Sequence, residues 1–340
     1  MNMKQLVSLC ILTFCIISFA GAQESVADIR KRATLLAQQE KFGDAIDVLD
    51  RGLQQYPNNL DILKDEAYIS YLGRDFQRAL QVGKDIVSRD DADAQSYQIL
   101  GLVYKAIADF KEGDKMYKSA IKKFPKSGVL YSEYGDMLTQ YDNKKGAIVQ
   151  WEKGIAADPN YSGNYYFAAK YYAGEGNIFW SSIYGEIFVN IESLTKRTAE
   201  IKTLLLNNYK MIVSGKSNVE ALKNKGNDFE KAAASALSDA FETTSSDITP
   251  EIITSLRARF ILNWNVSGAT MYPYRLFDFQ LQLMREGLFD AYNQWLFGTM
   301  INKDKYDNWV YTHDTEMQDF TQFQRNVMFK MPPEQYYGHQ

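Results

Sequence analysis

The feature that most constrains this chain is a period of 34 residues, repeated five times without an insertion. The repeats open at Val26, Leu60, Ala94, Gly128 and Ser162. Their eighth position reads Ala33, Ala67, Gly101, Gly135 and Ala169, and their twentieth reads Ala45, Ala79, Gly113, Ala147 and Ser181. All ten are small. Such a pair of positions marks the place where two antiparallel helices approach too closely for bulky side chains, while larger residues fill the grooves around the contact. The fillers stand at the fourth position (Ile29, Leu63, Tyr97, Tyr131, Tyr165) and at the seventeenth (Phe42, Phe76, Phe110, Lys144, Ile178). Pro57, Pro125 and Pro159 close the second helix and set the turn into the next unit. The pattern has departures: Asp91 and Ser193 replace the proline, Gly83 and Gly185 replace a large residue, and Lys144 is polar where its equivalents are apolar.

Carried by these positions, residues 26–195 resemble the tetratricopeptide repeat (TPR) family. The resemblance implies an all-α fold, a right-handed solenoid of helix–turn–helix units at 26–59, 60–93, 94–127, 128–161 and 162–195. The fifth unit departs most, with Gly174 and Gly176 at its turn and an unusually apolar second helix from Ile178 to Ile191. That apolar helix predicts burial beneath whatever follows.

From Lys196 the strict period is lost, but the texture of 196–340 stays helical, so the solenoid is expected to continue into a helical C-terminal region. Ala199–Val213 and Phe229–Phe241 carry apolar residues at helical spacing. Thr249-Pro250-Glu251 reads as a capped helix start, running to about Trp264. The stretches 214–227 and 243–247 read as loops. Residues 276–300 read as a degenerate helical hairpin, with Gly287 between its halves and Tyr292 where a small residue belongs. No segment has the alternation of a sheet.

Residues 1–22 differ from the rest. Lys4 precedes an apolar run from Leu6 to Ala20, and Phe19-Ala20-Gly21-Ala22 supplies small residues for cleavage, which predicts a signal peptide and export to the periplasm or cell surface. The run is short for a bilayer span, and retention as an anchor is the alternative. Cys10 and Cys15, the only two cysteines, both fall in this segment, preceded by Leu9 and Phe14 rather than the small residue a lipoprotein needs. The remainder then has no thiol for a disulfide, a nucleophile or a metal. A formal charge of -4 without a basic tail argues against nucleic acid, which demands a concentrated positive field.

Catalytic patterns are sparse, and no cofactor or metal is expected. His313 has Asp314 and Glu316 beside it, but not at the spacing that puts ligands on one helical face. Ser214-Gly215-Lys216-Ser217 mimics the end of a phosphate loop without its glycine and strand, and Ser193 and Lys196 have the spacing of a serine–lysine pair without its companions. Asp278, Glu286 and Asp290 lie close enough along the late hairpin to be weighed as an acid–base set. A deep polar pocket in 196–340 gathering His313 with carboxylates would favour an enzyme that uses the repeats as a substrate platform. A permanently docked envelope-assembly component is a third reading.

The family's groove is lined by the first helix of each repeat. Carried over position by position, the resemblance implies a partner-binding surface containing Arg30, Lys64, Tyr68, Tyr71, Lys105, Tyr166 and Lys170. The asparagine of the family's carboxylate clamp is missing. Tyrosine anchors among cations imply a protein or peptide partner of net negative charge, and a non-catalytic interaction scaffold in the cell envelope.

Overall fold

The structure is a computed structural model that describes residues 24–215, 218–240 and 248–338. The predicted signal peptide, the 243–247 loop and Lys216-Ser217 of the phosphate-loop mimic lie outside the described residues. Among the described residues the fold is all-α, with no strand. Contacts divide the chain into two compact units, Met1–Ala92 and Asp93–Gln340.

The first unit holds α1 (Val26–Gln38), α2 (Phe42–Gln55), α3 (Leu60–Leu72) and α4 (Phe76–Val87). Its core contains Ile29, Ala33, Ala45, Val48, Leu49, Ile62 and Ile69. The second unit holds the remaining hairpins as α5 (Ala94–Ala106), α6 (Phe110–Lys123), α7 (Gly128–Gln140), α8 (Lys144–Ala157), α9 (Ser162–Gly174) and α10 (Ile178–Ile191). Every first helix thus begins on the first residue of the period, and every second helix on the seventeenth.

One turn geometry joins the two helices of all five repeats. The fifteenth position has positive φ in each: Glu40, Arg74, Ala108, Asp142 and Gly176. A left-handed residue at the end of a helix lets the following N–H reach back to a carbonyl five residues earlier. That bond is present five times, from Lys41, Asp75, Asp109, Asn143 and Asn177 to Leu36, Ser70, Tyr104, Leu138 and Tyr172, at 2.8–3.0 Å. Four of those donors then turn their side chains into N-caps of the second helix: Asp75, Asp109, Asn143 and Asn177. Only Gly176 adopts this φ without steric cost. The other four are held there by a turn fixed from both sides.

The small positions follow a size rule across the helix pair. Where the eighth residue is glycine, the twenty-fourth is aromatic: a Cβ on Gly101 would fall 1.9 Å from the Tyr117 hydroxyl, and one on Gly135 would fall 2.2 Å from Trp151 Nε1. Where the eighth is alanine, the twenty-fourth is Leu49, Gly83 or Gly185. Gly135→Ala is therefore expected to cost about 1–3 kcal/mol through overpacking. Gly43→Ala on α2, with nothing within 4 Å of its Cβ, should instead gain up to about 1 kcal/mol from helix propensity. Equal urea midpoints for the two variants would show that the contact at Gly135 is not tight.

The regular spacing runs one helix further than the sequence pattern indicates. α11 (Lys196–Val213) starts one period after Ser162, is capped by Thr195 in a reciprocal box, and packs against α9 and α10. The eighth position here is exposed Thr203, so the small-residue mark is missing although the helix is present. α10 is buried from Ile178 through Val189, and Trp180 stacks on Phe229 at 5.8 Å, as its apolar sequence requires.

The remainder is α12 (Val219–Lys225), α13 (Asp228–Ser238), α14 (Pro250–Ser267), α15 (Arg275–Arg285), α16 (Phe289–Asn293), a π-helical segment Gln294–Gly298, α17 (Thr299–Ile301), α18 (Lys303–Thr312) and α19 (Asp314–Asn326). α12 corrects the expectation of a loop over 214–227: Val219 is buried and the short helix packs on α13, contacts that outweigh its polar composition. α14 starts as expected, with Thr249 capping the Ile252 N–H at 3.3 Å. The late hairpin also forms, with Gly287 at positive φ, but its second half is five α-helical residues followed by the π turn. Within that turn the Trp295 carbonyl takes its hydrogen bond from Lys202 of α11 at 2.8 Å. Burial draws the Lys202 pKa down to about 7. After α19 the chain returns as an extended tail. The Asn160 amide bonds the Met331 backbone both ways, meeting its N–H at 3.0 Å and its carbonyl at 3.2 Å. Tyr337 stacks on Phe229 at 4.7 Å.

Candidate partner-binding surface

The structure gives the seven surface residues unequal roles. In the first unit, the Arg30 guanidinium donates to Asp65 at 2.6 Å and lies 3.5 Å from Asp61, so its pKa is raised, first by the bond to Asp65. Lys64 is 5% exposed and pairs with the same Asp61 at 3.0 Å. Tyr68 and Tyr71 come together as a stacked pair, centroids 6.2 Å apart. Tyr68 is 41% exposed, and Leu72, one helical turn on, is 40% exposed.

In the second unit, Lys105 of α5 reaches Glu133 at 2.5 Å and Asp136 at 2.8 Å on α7. Burial opposes its charge, but the two carboxylates outweigh it and raise the pKa. Lys170 of α9 pairs with Glu200 of α11 at 2.7 Å. Tyr166 is 8% exposed, donates to Glu200 at 2.6 Å, and is covered by the Arg197 guanidinium at 5.0 Å.

One rule covers Arg30, Lys105 and Lys170. Each cation on the first helix of one repeat is paired with carboxylates on the first helix of the next, or on α11 in its place. These side chains zip neighbouring helices together, each pair contributing up to about 1 kcal/mol where water still reaches it. Arg30, Lys64, Lys105 and Lys170 thus each have an acidic partner within the protein, and Tyr166 is buried. Sequence reasoning missed the partners Asp65, Glu133 and Glu200. Their signal is an acid placed about one period away from each cation.

Each first helix in the five hairpins is 13 residues long, and each opens 34 residues after the one before it. The repeats are TPR-like helical hairpins. No family model and no curated protein matches the chain. Solved structures do. A thermophilic TPR protein of Thermus thermophilus is 15% identical, with a TM-score of 0.45 over 53% of this chain and 98% of its own. A TPR protein from Parabacteroides merdae is 13% identical, with a TM-score of 0.41 over 76% of this chain and 97% of its own. YrrB, described as a TPR protein with an unusual peptide-binding site, is 14% identical, with a TM-score of 0.36 over 54% of this chain and 94% of its own. At these identities the likeness is one of fold.

Beyond these hairpins, a cleft of about 400 Å³ opens between the start of α14, the π segment and α18, lined among others by Glu251, Gln294, Lys305, Trp309 and His313. His313 stacks on Trp309 at 4.4 Å, and its Nδ1 lies 3.1 Å from the Trp309 carbonyl oxygen. Its sequence neighbours point elsewhere: Asp314 accepts from Gln318 at 2.7 Å, and Glu316 from the Ala291 N–H at 3.0 Å. The three weighed carboxylates also separate. Asp278 lies beside Arg275 and Arg285, Glu286 accepts from Gln282 at 2.9 Å, and Asp290 faces a recess with Glu251.

Proposed function

We propose that the chain is a non-catalytic protein–protein interaction scaffold of the cell envelope, exported by residues 1–22, which holds a partner segment on the Tyr68–Tyr71 face of its first unit. The observation behind this reading is the stacked Tyr68–Tyr71 pair, of which Tyr68 is exposed and Tyr71 half-buried. A tyrosine offers a broad apolar ring with a polar tip, and left uncovered beside Leu72 it is the kind of residue that dominates interface energetics. Because those cations have acidic partners within the protein, the favoured partner is an aromatic or aliphatic segment rather than the acidic peptide that the carried-over groove positions imply.

The test is a crosslinking pull-down from the native envelope, comparing the wild-type chain with Tyr68→Ala/Tyr71→Ala. Loss of about 1–4 kcal/mol per true anchor should remove the partner from the double variant. Capture of every partner at wild-type yield would reject this face as the binding site.

The catalytic reading draws on one observation, the cleft that places His313 and Glu251 in the same lining. His313 stands in it bonded to the Trp309 backbone rather than to a carboxylate, and the chemistry of the cleft suits binding better than turnover.

A further inference from the structure

Within the second unit, a cavity of about 50 Å³ lies where α10, α11, α14 and α15 meet. Most of its wall is apolar, supplied by Phe179, Ile183, Ile212, Phe260 and Phe277 among others. Three polar side chains stand in that wall, each at least nine-tenths buried: Glu186 and Gln280, both 3% exposed, and Tyr209, 9% exposed. A mostly apolar cavity with a few converging polar groups is the usual form of a small-molecule site.

The hydrogen bonds inside the protein leave these three groups incomplete. Every bond to the Glu186 carboxylate ends on Oε1, from Arg257, Gln280 and Tyr292, and none ends on Oε2. Gln280 gives its amide N–H to that same Oε1 at 2.5 Å, which leaves its own oxygen without a donor. The Tyr209 hydroxyl bonds to no described residue, and burial raises its pKa, so it remains an O–H donor. None of the three atoms is among the sealed, unpartnered side-chain atoms of the core, so each meets the cavity that its residue lines. The other polar groups of the wall are occupied or closed off. Ser182 donates to the Ile178 carbonyl at 2.8 Å, and the unpartnered Nε of Arg257 is sealed. Buried acceptors without donors are costly and few in native proteins.

The cavity therefore offers two acceptors and one donor. Arg257 already balances the charge of Glu186, so a neutral occupant fits. A carboxylate would meet Glu186 with no proton to give, and an ammonium would add a second cation beside Arg257. One water occupies about 10–15 Å³ on this measure, so about four water-sized groups fill the space. We propose that the cavity binds a small neutral molecule with a primary carboxamide head and a short apolar body. The two N–H groups of the head donate to Glu186 Oε2 and Gln280 Oε1, and its carbonyl accepts from the Tyr209 hydroxyl. The body packs on Ile183, Ile212 and Phe277.

Methyl NMR of the full chain, titrated with propionamide and with butanone, tests this. The two probes match in size and differ by an NH₂ in place of a CH₃. Propionamide should shift the methyls of Ile183, Ile212, Leu237 and Leu276 saturably, and butanone should bind at least tenfold more weakly, because it leaves both acceptors unpaired. Tyr209→Phe keeps the ring and should weaken both probes about fivefold, since each carries the carbonyl. Equal affinity for the two probes, or propionamide affinity unchanged in Tyr209→Phe, overturns the proposal. So does an absence of shifts at those four residues with propionamide, which would assign the cavity to water only.

Discussion

Arg257→Ala is expected to destabilise the second unit by about 3–5 kcal/mol, because it strands a carboxylate in the core. Arg257 is 2% exposed and Glu186 3%. The guanidinium pairs with Glu186 through one nitrogen and with Asn293 through another. The same Glu186 oxygen accepts from Gln280 at 2.5 Å and from the Tyr292 hydroxyl at 2.8 Å. Four rings surround the cation, those of Tyr209, Phe289, Tyr292 and Phe297, at 5.3–5.7 Å. Burial opposes the charge of Arg257, yet the Glu186 carboxylate and the two tyrosines raise its pKa. This cluster ties α10 of the fifth repeat to α14, α15 and α16, so its loss loosens the junction between repeats and C-terminal helices. Guanidinium unfolding would measure the cost. The double change Arg257→Met/Glu186→Leu should be less destabilising than Arg257→Ala, since apolar replacement of both partners removes the stranded charge. A cost below about 1 kcal/mol for Arg257→Ala would mean that water reaches the pair.

Trp180→Ala should cost a similar amount, about 3–5 kcal/mol, by emptying the largest fully buried side chain of the same junction. Trp180 is 1% exposed, its ring lies 5.0 Å from Tyr184 and 5.4 Å from Phe179, and its Nε1–H donates to Glu230 at 2.5 Å. Glu230 is itself fully buried and caps α13 through the Asn227 N–H at 2.7 Å. Two variants separate packing from the hydrogen bond. Trp180→Phe keeps most of the volume and should lose only about 1–3 kcal/mol, the cost of leaving the Glu230 oxygen short of a donor. Limited proteolysis should show the difference as faster cleavage in 214–227 for Trp180→Ala than for Trp180→Phe. Cleavage at the wild-type rate in both would place the stability of the junction elsewhere.

Much of the repeat architecture was legible because its causes are local. A fixed spacing of small residues requires helices in close contact, and Asp or Asn at the sixteenth position of four repeats caps the second helix within the same turn. α12 escaped because its largely polar seven residues owe their helix to packing on α13 rather than to their own pattern. The sequence marks α11 as a helix but not as the next member of the series, since exposed Thr203 replaces the small-residue mark. The tail after α19 escaped for a different reason: its anchor is a pair of bonds to Asn160, 171 residues earlier.

The candidate surface divides along the same line. Sequence register alone put Arg30, Lys64, Tyr68, Tyr71, Lys105, Tyr166 and Lys170 on one kind of helix face, because helical position follows from spacing. Whether each is exposed depends on what the neighbouring helices present, and that is a property of the packed chain. Tertiary structure tied Arg30, Lys105 and Lys170 to acids on neighbouring helices, buried Tyr166 beneath Arg197 and left Tyr68 uncovered. It also gathered Glu251, Asp290, Gln294 and Trp309, spread over 59 residues of sequence, into one recess. The period of 34 determined by itself that helices pair and repeat, since that needs only size and spacing. Which charges are satisfied, and therefore what remains to bind a partner, was decided by contacts between residues far apart in the chain.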